Sequence, residues 1–200
     1  MKRSKAETAE THKRIVEVAA ATIKKKGIDA TGVAEVMAAA GLTHGAFYRH
    51  FASKEALVAE AAEASMDVFV AAAQAAAAKG PSAYVKYLQG YLTSEFRDGV
   101  LGGCPVIQMS SELARADTSV REGVAKGLKQ MIDIAVKSAG DKSDASVQED
   151  AIFTLSALIG AITMSRLLDD PDLSKRVLQV TNNRLLKQPS KARTGKASRN

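Results

Sequence analysis

The chain has 200 residues, and its 28 Lys and Arg against 22 Asp and Glu give a net charge of +6. A single cysteine excludes an intramolecular disulfide framework. Because the sequence has neither an apolar leader nor an apolar run of the roughly 20 residues that a membrane span needs, we expect a soluble, cytoplasmic protein. Residues 1–54 and 184–200 are basic and residues 55–183 are acidic, which predicts that one region meets a polyanion while another has a different role.

Abundant alanine, no Trp and only four prolines favour helices throughout, so we expect an all-α fold of about nine helices. Apolar residues at helical spacing and capping residues predict where each helix begins and ends. In chain order, the predicted helices run from Thr8 or Thr11 to Lys26, over 32–40 and 44–51, from Ser53 towards Lys79, from Pro81, and over 105–116, 118–139, 145–168 and 172–186.

The second and third predicted helices are short and follow a longer first helix, which is the arrangement of a helix-turn-helix unit. Thr31 is the predicted N-cap of the second helix, and Gly41 suits the tight turn because glycine adopts a positive φ without steric cost. The helix at 44–51 is therefore the predicted recognition helix. The residues expected to face bases in the major groove are His44, Gly45 and Ala46.

The segment 42–54 concentrates aromatic rings, histidines and cations, as a helix that lies against DNA phosphates requires. Phe47 and Phe51 are expected to pack inward. The side chains expected to reach phosphates are those of Tyr48, Arg49, His50 and Lys54. The alternative is an ordinary core patch of aromatic residues, which does not explain the polar and basic residues around it.

The run from Thr31 to Leu57 resembles the N-terminal DNA-binding domain of the TetR family. The resemblance is carried by Gly-Leu-Thr-His-Gly-Ala-Phe-Tyr-Arg-His-Phe at 41–51 and Ser-Lys-Glu-Ala-Leu at 53–57, and it covers roughly residues 8–60. It implies a homodimeric, all-helical repressor whose C-terminal domain binds a small ligand that releases DNA.

By matching position, the resemblance also implies roles for individual residues. It implies phosphate contacts from Tyr48, His50 and Lys54, positions at the groove for Thr43 and His44, and a backbone contact from Thr31. Residues 32–34 are Gly-Val-Ala, where members of the family often carry a polar or basic residue. The second helix is therefore not expected to supply phosphate contacts beyond Thr31.

Three tyrosines, Tyr84, Tyr87 and Tyr91, fall on one face of the fifth predicted helix. Tyrosine combines apolar area with a hydroxyl group, so this face is interpreted as one wall of a ligand pocket, with ordinary core packing as the alternative. The other residues placed at this pocket are Cys104, Met109, Met131, Phe153 and Met164.

Cys104 precedes Pro105, which suits the first position of the helix at 105–116. The thiol would then lie at the N-cap, where unpaired N–H groups and the helix dipole favour a thiolate. Some members of the family that the sequence resembles carry a reactive cysteine in this region and sense oxidants or electrophiles. The alternative is a small, inert, buried thiol.

Two consecutive amphipathic helices, 145–168 and 172–186, are expected to pack against their symmetry mates as a four-helix dimer interface, with a monomeric helical hairpin as the alternative. The expected organisation is a helix-turn-helix domain (1–52), an antiparallel helical ligand-binding and dimerisation domain (53–187), and a basic, disordered tail (188–200).

These features predict a ligand-responsive transcriptional repressor, a homodimer that reads a pseudo-palindromic operator in double-stranded DNA and is released by a small-molecule or electrophile effector. The alternatives are a non-specific nucleoid-type DNA binder and a helical enzyme that uses Cys104. An enzyme is not expected, because all three histidines lie within residues 12–50, far along the chain from Cys104. The sequence has no metal-ligand cluster, phosphate loop or dinucleotide fingerprint, so no cofactor is expected.

Overall fold

A computed structural model describes residues 4–99, 104–140 and 144–185. Within these residues the chain forms nine α-helices and one 3₁₀ helix and has no strand, which confirms the all-α prediction. The helices are α1 (Lys5–Lys26), α2 (Val33–Ala39), the 3₁₀ helix (His44–Arg49), α3 (Lys54–Ala77), α4 (Pro81–Tyr91), α5 (Ser94–Arg97), α6 (Pro105–Arg115), α7 (Thr118–Ala139), α8 (Ala145–Leu167) and α9 (Pro171–Leu185). The short α5 was not predicted, and the tail at 188–200 lies outside the described residues.

The first helix begins at Lys5, so the predicted start at Thr8 or Thr11 is wrong. The Glu7 N–H donates to the Ser4 hydroxyl (3.1 Å), and the Ser4 N–H donates to the Glu7 carboxylate (2.7 Å). This capping box satisfies two N–H groups that the first turn would otherwise leave unpaired. The predicted end at Lys26 is confirmed, and Gly27 follows it at a φ of 88°.

An N-terminal apolar core joins α1, α2, the 3₁₀ helix and the first half of α3. Ile15, Val36, Met37 and Phe47 are almost completely buried at its centre. The same core includes residues of α6 and α7, so the helix-turn-helix unit rests on helices of the C-terminal part. A second core joins the rest of α3 to α4–α9.

Helices α3 and α7 approach closely because glycine faces the contact. A Cβ added at Gly127 would lie 2.8 Å from both Cβ and Cε of Met66, closer than real side chains approach. Next to this contact, the Lys126 ammonium forms an ion pair with Glu63 (2.6 Å). Met66 also lines the enclosed cavity described below, so this helix contact fixes one wall of that cavity.

We predict that Gly127→Ala lowers the free energy of unfolding by about 1–2 kcal/mol net, because the new methyl group overpacks the α3–α7 contact by more than the gain in helix propensity offsets. Gly90→Ala in α4 is the matched control. Among the described residues outside its own turn of helix, no atom lies within 4 Å of a Cβ at Gly90, so helix propensity should make that variant more stable, by about 0.5–1 kcal/mol. Chemical denaturation followed by circular dichroism measures both values. Equal shifts of the same sign would contradict the close contact.

The surface of α8 and α9 exposes large apolar side chains. They are Ile152, Phe153, Met164 and Leu167 on α8 and Leu173 and Val180 on α9. Among the described helices, α8 alone has the length and apolar composition that a membrane span needs. Of the apolar stretch of α8 that meets these criteria, 28% is buried. One such helix is weak grounds for a membrane span, because a helix covered by a protein partner meets the same criteria.

Candidate DNA-binding surface and effector cavity

The recognition segment is a 3₁₀ helix over His44–Arg49, so the α-helix predicted at 44–51 is wrong in type and length. Its N-cap, Thr43, is extended (φ −78°, ψ 151°) and makes no side-chain capping bond. A short segment with no such bond and with glycine near its start suits the tighter 3₁₀ geometry. Phe47 and Phe51 point inward, as predicted, and are 1% and 3% exposed.

Five residues of this segment face solvent on the side away from the core. This recognition surface consists of Thr43, His44, Gly45, Tyr48 and Arg49. The rings of His44 and Tyr48 lie edge to face with centroids 6.4 Å apart, and Tyr48 is 71% exposed. The exposed ring of Tyr48 packs edge to face on the buried ring of Phe47, so the Tyr48 hydroxyl points to solvent from a backbone that Phe47 anchors.

The other predicted contact residues border this surface. Ala46 is half-buried against the N-terminal core. The ring of His50 lies 5.9 Å from that of His12 and is also half-buried. The Lys54 ammonium donates to the Asp29 carbonyl (3.3 Å), which leaves two of its three donors for a phosphate.

Thr31 does not occupy its predicted position. Its residue is 3% exposed, its hydroxyl donates to the Gly27 carbonyl (2.7 Å), and its N–H donates to the Ile28 carbonyl (3.3 Å). The N-cap of α2 is Gly32. The predicted DNA-backbone contact by Thr31 is therefore wrong, because both of its donor groups close the turn between α1 and α2.

His12 supports the recognition segment from behind, a role that the sequence analysis did not assign. Its ring stacks on Phe51 (centroids 4.4 Å apart), and its Nε2 lies 2.6 Å from a Glu60 carboxylate oxygen. This pair links α1 to α3 and so fixes Phe51 at the end of the recognition segment. The two residues are 48 positions apart, and no sequence spacing indicated their contact.

An enclosed apolar cavity of about 40 Å³ lies among α3, α4, α6, α7 and α8. The structure brings three of the predicted pocket residues to its wall, Tyr91, Cys104 and Met131. A cavity of this size accommodates only a few water-sized groups, so a larger ligand needs a neighbouring space or a movement of the wall.

The other predicted pocket residues lie elsewhere. Tyr84 is buried outside the cavity wall, and its hydroxyl has no hydrogen-bond partner among the described residues. The helix α6 is kinked at Met109 (φ −130°, ψ 22°), and Met109 packs in the N-terminal core. Phe153 and Met164 are 64% and 52% exposed on α8, so their placement in the pocket is wrong.

The remaining two tyrosines form a directed hydrogen-bond chain. The Tyr87 hydroxyl donates to the Phe69 carbonyl (3.1 Å). Since that bond uses its only proton, the Tyr91 hydroxyl, 2.6 Å away, must donate to Tyr87. Burial raises the pKa of both tyrosines, and it raises the pKa of Tyr84 to about 12. All three are therefore neutral at physiological pH.

Cys104 is the N-cap of α6, as predicted, but it is not poised as a thiolate. Burial raises the pKa of its thiol, and the opposing hydrogen bonds from the N–H groups of Ile107 and Val106 do not cancel this effect. The nearby charges of Arg166 and Lys24 also act to lower that pKa. Because desolvation outweighs the helix N-terminus, the structure favours the alternative of a small, buried, protonated thiol over the thiolate.

An all-helical chain that presents such a surface from a helix-turn-helix unit belongs to the class of helix-turn-helix DNA-binding regulators. The family model described as "Bacterial regulatory proteins, tetR family" matches residues 15–61, and the model "Tetracyclin repressor-like, C-terminal domain" matches residues 82–181. The chain belongs to the TetR family of transcriptional regulators. Members of this family are regulators that bind DNA and not enzymes.

Curated relatives match part of the chain. The chain is 36% identical over 93 residues to YerO of Bacillus subtilis, an uncharacterized HTH-type transcriptional regulator, and 38% identical over 64 residues to the regulator AcrR of Shigella flexneri. These matches cover 44% and 32% of this chain and only 32% and 30% of those proteins, about a third of their length.

Solved structures match nearly the whole fold. Reduced NemR of Escherichia coli superposes with a TM-score of 0.75 at 18% identity, over 88% of this chain and 95% of NemR. A TetR transcriptional regulator from Chloroflexus aurantiacus gives a TM-score of 0.71 at 22% identity, over 92% and 98% of the two chains. At these identities the likeness concerns the fold alone.

Proposed function

We propose that the protein is a cytoplasmic, homodimeric repressor that binds a pseudo-palindromic operator and releases it when a small molecule binds the C-terminal helices. The observation that carries this proposal is the recognition surface, in which exposed polar side chains project from a 3₁₀ helix held by two buried phenylalanines. His44, Gly45 and Ala46 are assigned to base edges, and Thr43 is placed beside them at the groove. Tyr48, Arg49, His50 and Lys54 are assigned to phosphates.

The proposed dimer forms through α8 and α9. Side chains such as Phe153 and Leu167, which are 64% and 79% exposed, would be costly in contact with water over so large an apolar face. A symmetry mate would cover the same face of both chains and would place the two recognition helices at successive turns of DNA, roughly 34–36 Å apart.

The proposed response to an effector passes through α6. Residues at its start, Cys104 and Ile107, line the cavity, and a residue near its end, Glu112, accepts a hydrogen bond from the Ile28 N–H (3.0 Å) in the turn between α1 and α2. A ligand that favours one position of α6 would therefore also bias the helix-turn-helix unit. The size of the response is limited by the ligand's differential affinity for the two arrangements.

The assignment of base and phosphate contacts is tested with His44→Ala and Lys54→Ala. We expect His44→Ala to weaken operator binding by about 1–3 kcal/mol and to leave binding to shuffled DNA unchanged. Lys54→Ala should weaken both and reduce the magnitude of the slope of log affinity against log salt by about 1. Fluorescence anisotropy across a salt series measures these effects on a duplex that the wild-type protein selects from a random pool.

Lys86→Ala is the matched control, because it removes the same charge from an exposed position on α4, remote from the recognition surface. It should change neither affinity by more than the measurement error. If His44→Ala weakens operator and shuffled DNA equally, the base assignment fails. If the wild-type protein does not distinguish the two DNAs at all, it is a non-specific, nucleoid-type binder.

A further inference from the structure

An open groove lies beside the enclosed cavity, between α1 and helices α3, α4 and α5. Its volume is about 360 Å³, and it shares two wall residues, Phe69 and Tyr91, with the cavity. Val68 and Phe96 extend the apolar wall. The groove is therefore an adjoining space in which a ligand too large for the cavity could bury an apolar body.

One charged side chain stands at the edge of this apolar groove. Lys24, on α1, is the only ionisable residue besides the two tyrosines among the eight that line it, and it forms no salt bridge with any described residue. Its charge, after that of Arg166, also acts to lower the pKa of Cys104 in the adjoining cavity. An unpaired cation beside apolar surface is complementary to an anion that carries an apolar body.

The groove has few other polar groups for a ligand. The hydroxyl protons of Tyr87 and Tyr91 are already used, one on the Phe69 carbonyl and the other on Tyr87. These hydroxyls can accept hydrogen bonds but cannot donate one to an incoming anion without losing their own. Lys24 is then the group that can bind a carboxylate.

We propose that this groove binds a small apolar monocarboxylate, with the carboxylate on Lys24 and the apolar body against Phe69, Tyr91 and Phe96. The inference rests on the proposed function in one respect, since it names the chemical class of the effector. Lys24 lies on a helix of the DNA-binding unit and the other walls lie on α3–α5, so a bound acid would join the two parts and could bias their arrangement.

The test compares octanoate with octanol, which have the same number of carbons and differ in charge, by isothermal titration of the full chain without DNA. We expect saturable octanoate binding, with octanol roughly three- to tenfold weaker. Lys24→Met should weaken octanoate by a similar factor and leave octanol unchanged. Lys25→Met, one residue along the same helix and outside the groove wall, is the matched control and should bind both probes as the wild type does.

Equal affinities of octanoate and octanol, equal behaviour of the Lys24 and Lys25 variants, or no octanoate binding would each overturn the site. Operator affinity, measured with and without octanoate, tests the proposed function separately. Binding that depends on Lys24 without any change of operator affinity would support the site and contradict the effector role. An operator-specific protein whose octanoate binding ignores Lys24 would leave the repressor standing and remove this inference.

Discussion

Phe47→Ala is expected to lower the free energy of unfolding by about 3–5 kcal/mol and to abolish specific DNA binding. Phe47 is 1% exposed, and its ring stacks on Phe51 with centroids 5.6 Å apart. Removing it leaves a cavity at the point where the 3₁₀ helix contacts the N-terminal core, and a six-residue segment has little stability of its own. Denaturant unfolding followed by circular dichroism, together with anisotropy on the operator, measures both losses.

The neighbouring residue supplies the control. Tyr48 is 71% exposed, so Tyr48→Ala should change the free energy of unfolding by no more than about 0.5 kcal/mol. It should nevertheless weaken operator binding by roughly five- to tenfold, because it removes a proposed phosphate contact. If Phe47→Ala retains wild-type stability, or if Tyr48→Ala unfolds the protein, the inward and outward assignment of the two rings is wrong.

The helix-turn-helix unit could be predicted because its determinants are local. Gly41 was assigned to the turn from its residue type alone, and it adopts a φ of 72°. Phe47 and Phe51 were expected to pack inward, and both are buried. What failed was also local: Ser4 and Glu7 form a capping box that was overlooked, and Thr31 was taken for an N-cap although its hydroxyl bonds backward to Gly27.

The cavity was predicted less well, because its walls come from five helices distant in sequence. Three tyrosines at helical spacing indicated one face, yet Tyr84 lies outside the cavity wall and Tyr87 faces the open groove. Met109 lies away from the cavity because α6 is kinked at this residue, and no proline or glycine at that position predicts the kink. For Cys104, the N-cap position could be predicted from the following Pro105. Its burial could not be predicted, because the residues that cover it come from other helices.

A second feature beyond the reach of sequence patterns is the contact that joins α6 to the helix-turn-helix unit. The Ile28 N–H donates to Glu112, 84 residues away, at a distance of 3.0 Å. Gly27 makes room for this carboxylate, because a Cβ there would lie 2.5 Å from Glu112 Oε1. Gly27 thus supplies both the turn at φ 88° and the space that the Glu112 carboxylate occupies.

Gly27→Ala should therefore cost more than the same substitution at another glycine with positive φ. Gly41→Ala introduces backbone strain alone, about 1–2 kcal/mol, since nothing lies within 4 Å of a Cβ at Gly41. At Gly27 the backbone (φ 88°, ψ 170°) lies in a region that is essentially restricted to glycine, and the substitution also displaces Glu112 and leaves the Ile28 N–H without its acceptor, so we expect a total of about 2–4 kcal/mol. Denaturant unfolding of the two variants measures the difference.

A double-mutant cycle with Glu112→Ala isolates the contact from the strain. If Gly27→Ala acts partly by displacing Glu112, the two substitutions together should cost about 1–2 kcal/mol less than the sum of their separate effects, whereas Gly41→Ala and Glu112→Ala should be additive. Hydrogen exchange of the Ile28 amide gives a second measure: it should accelerate in Glu112→Ala while the amides in the middle of α1 keep their protection. Additivity in both cycles would mean that α6 and the helix-turn-helix unit are not joined through this carboxylate, and the proposed route from the cavity to the DNA would then have to pass through the α3 contacts instead.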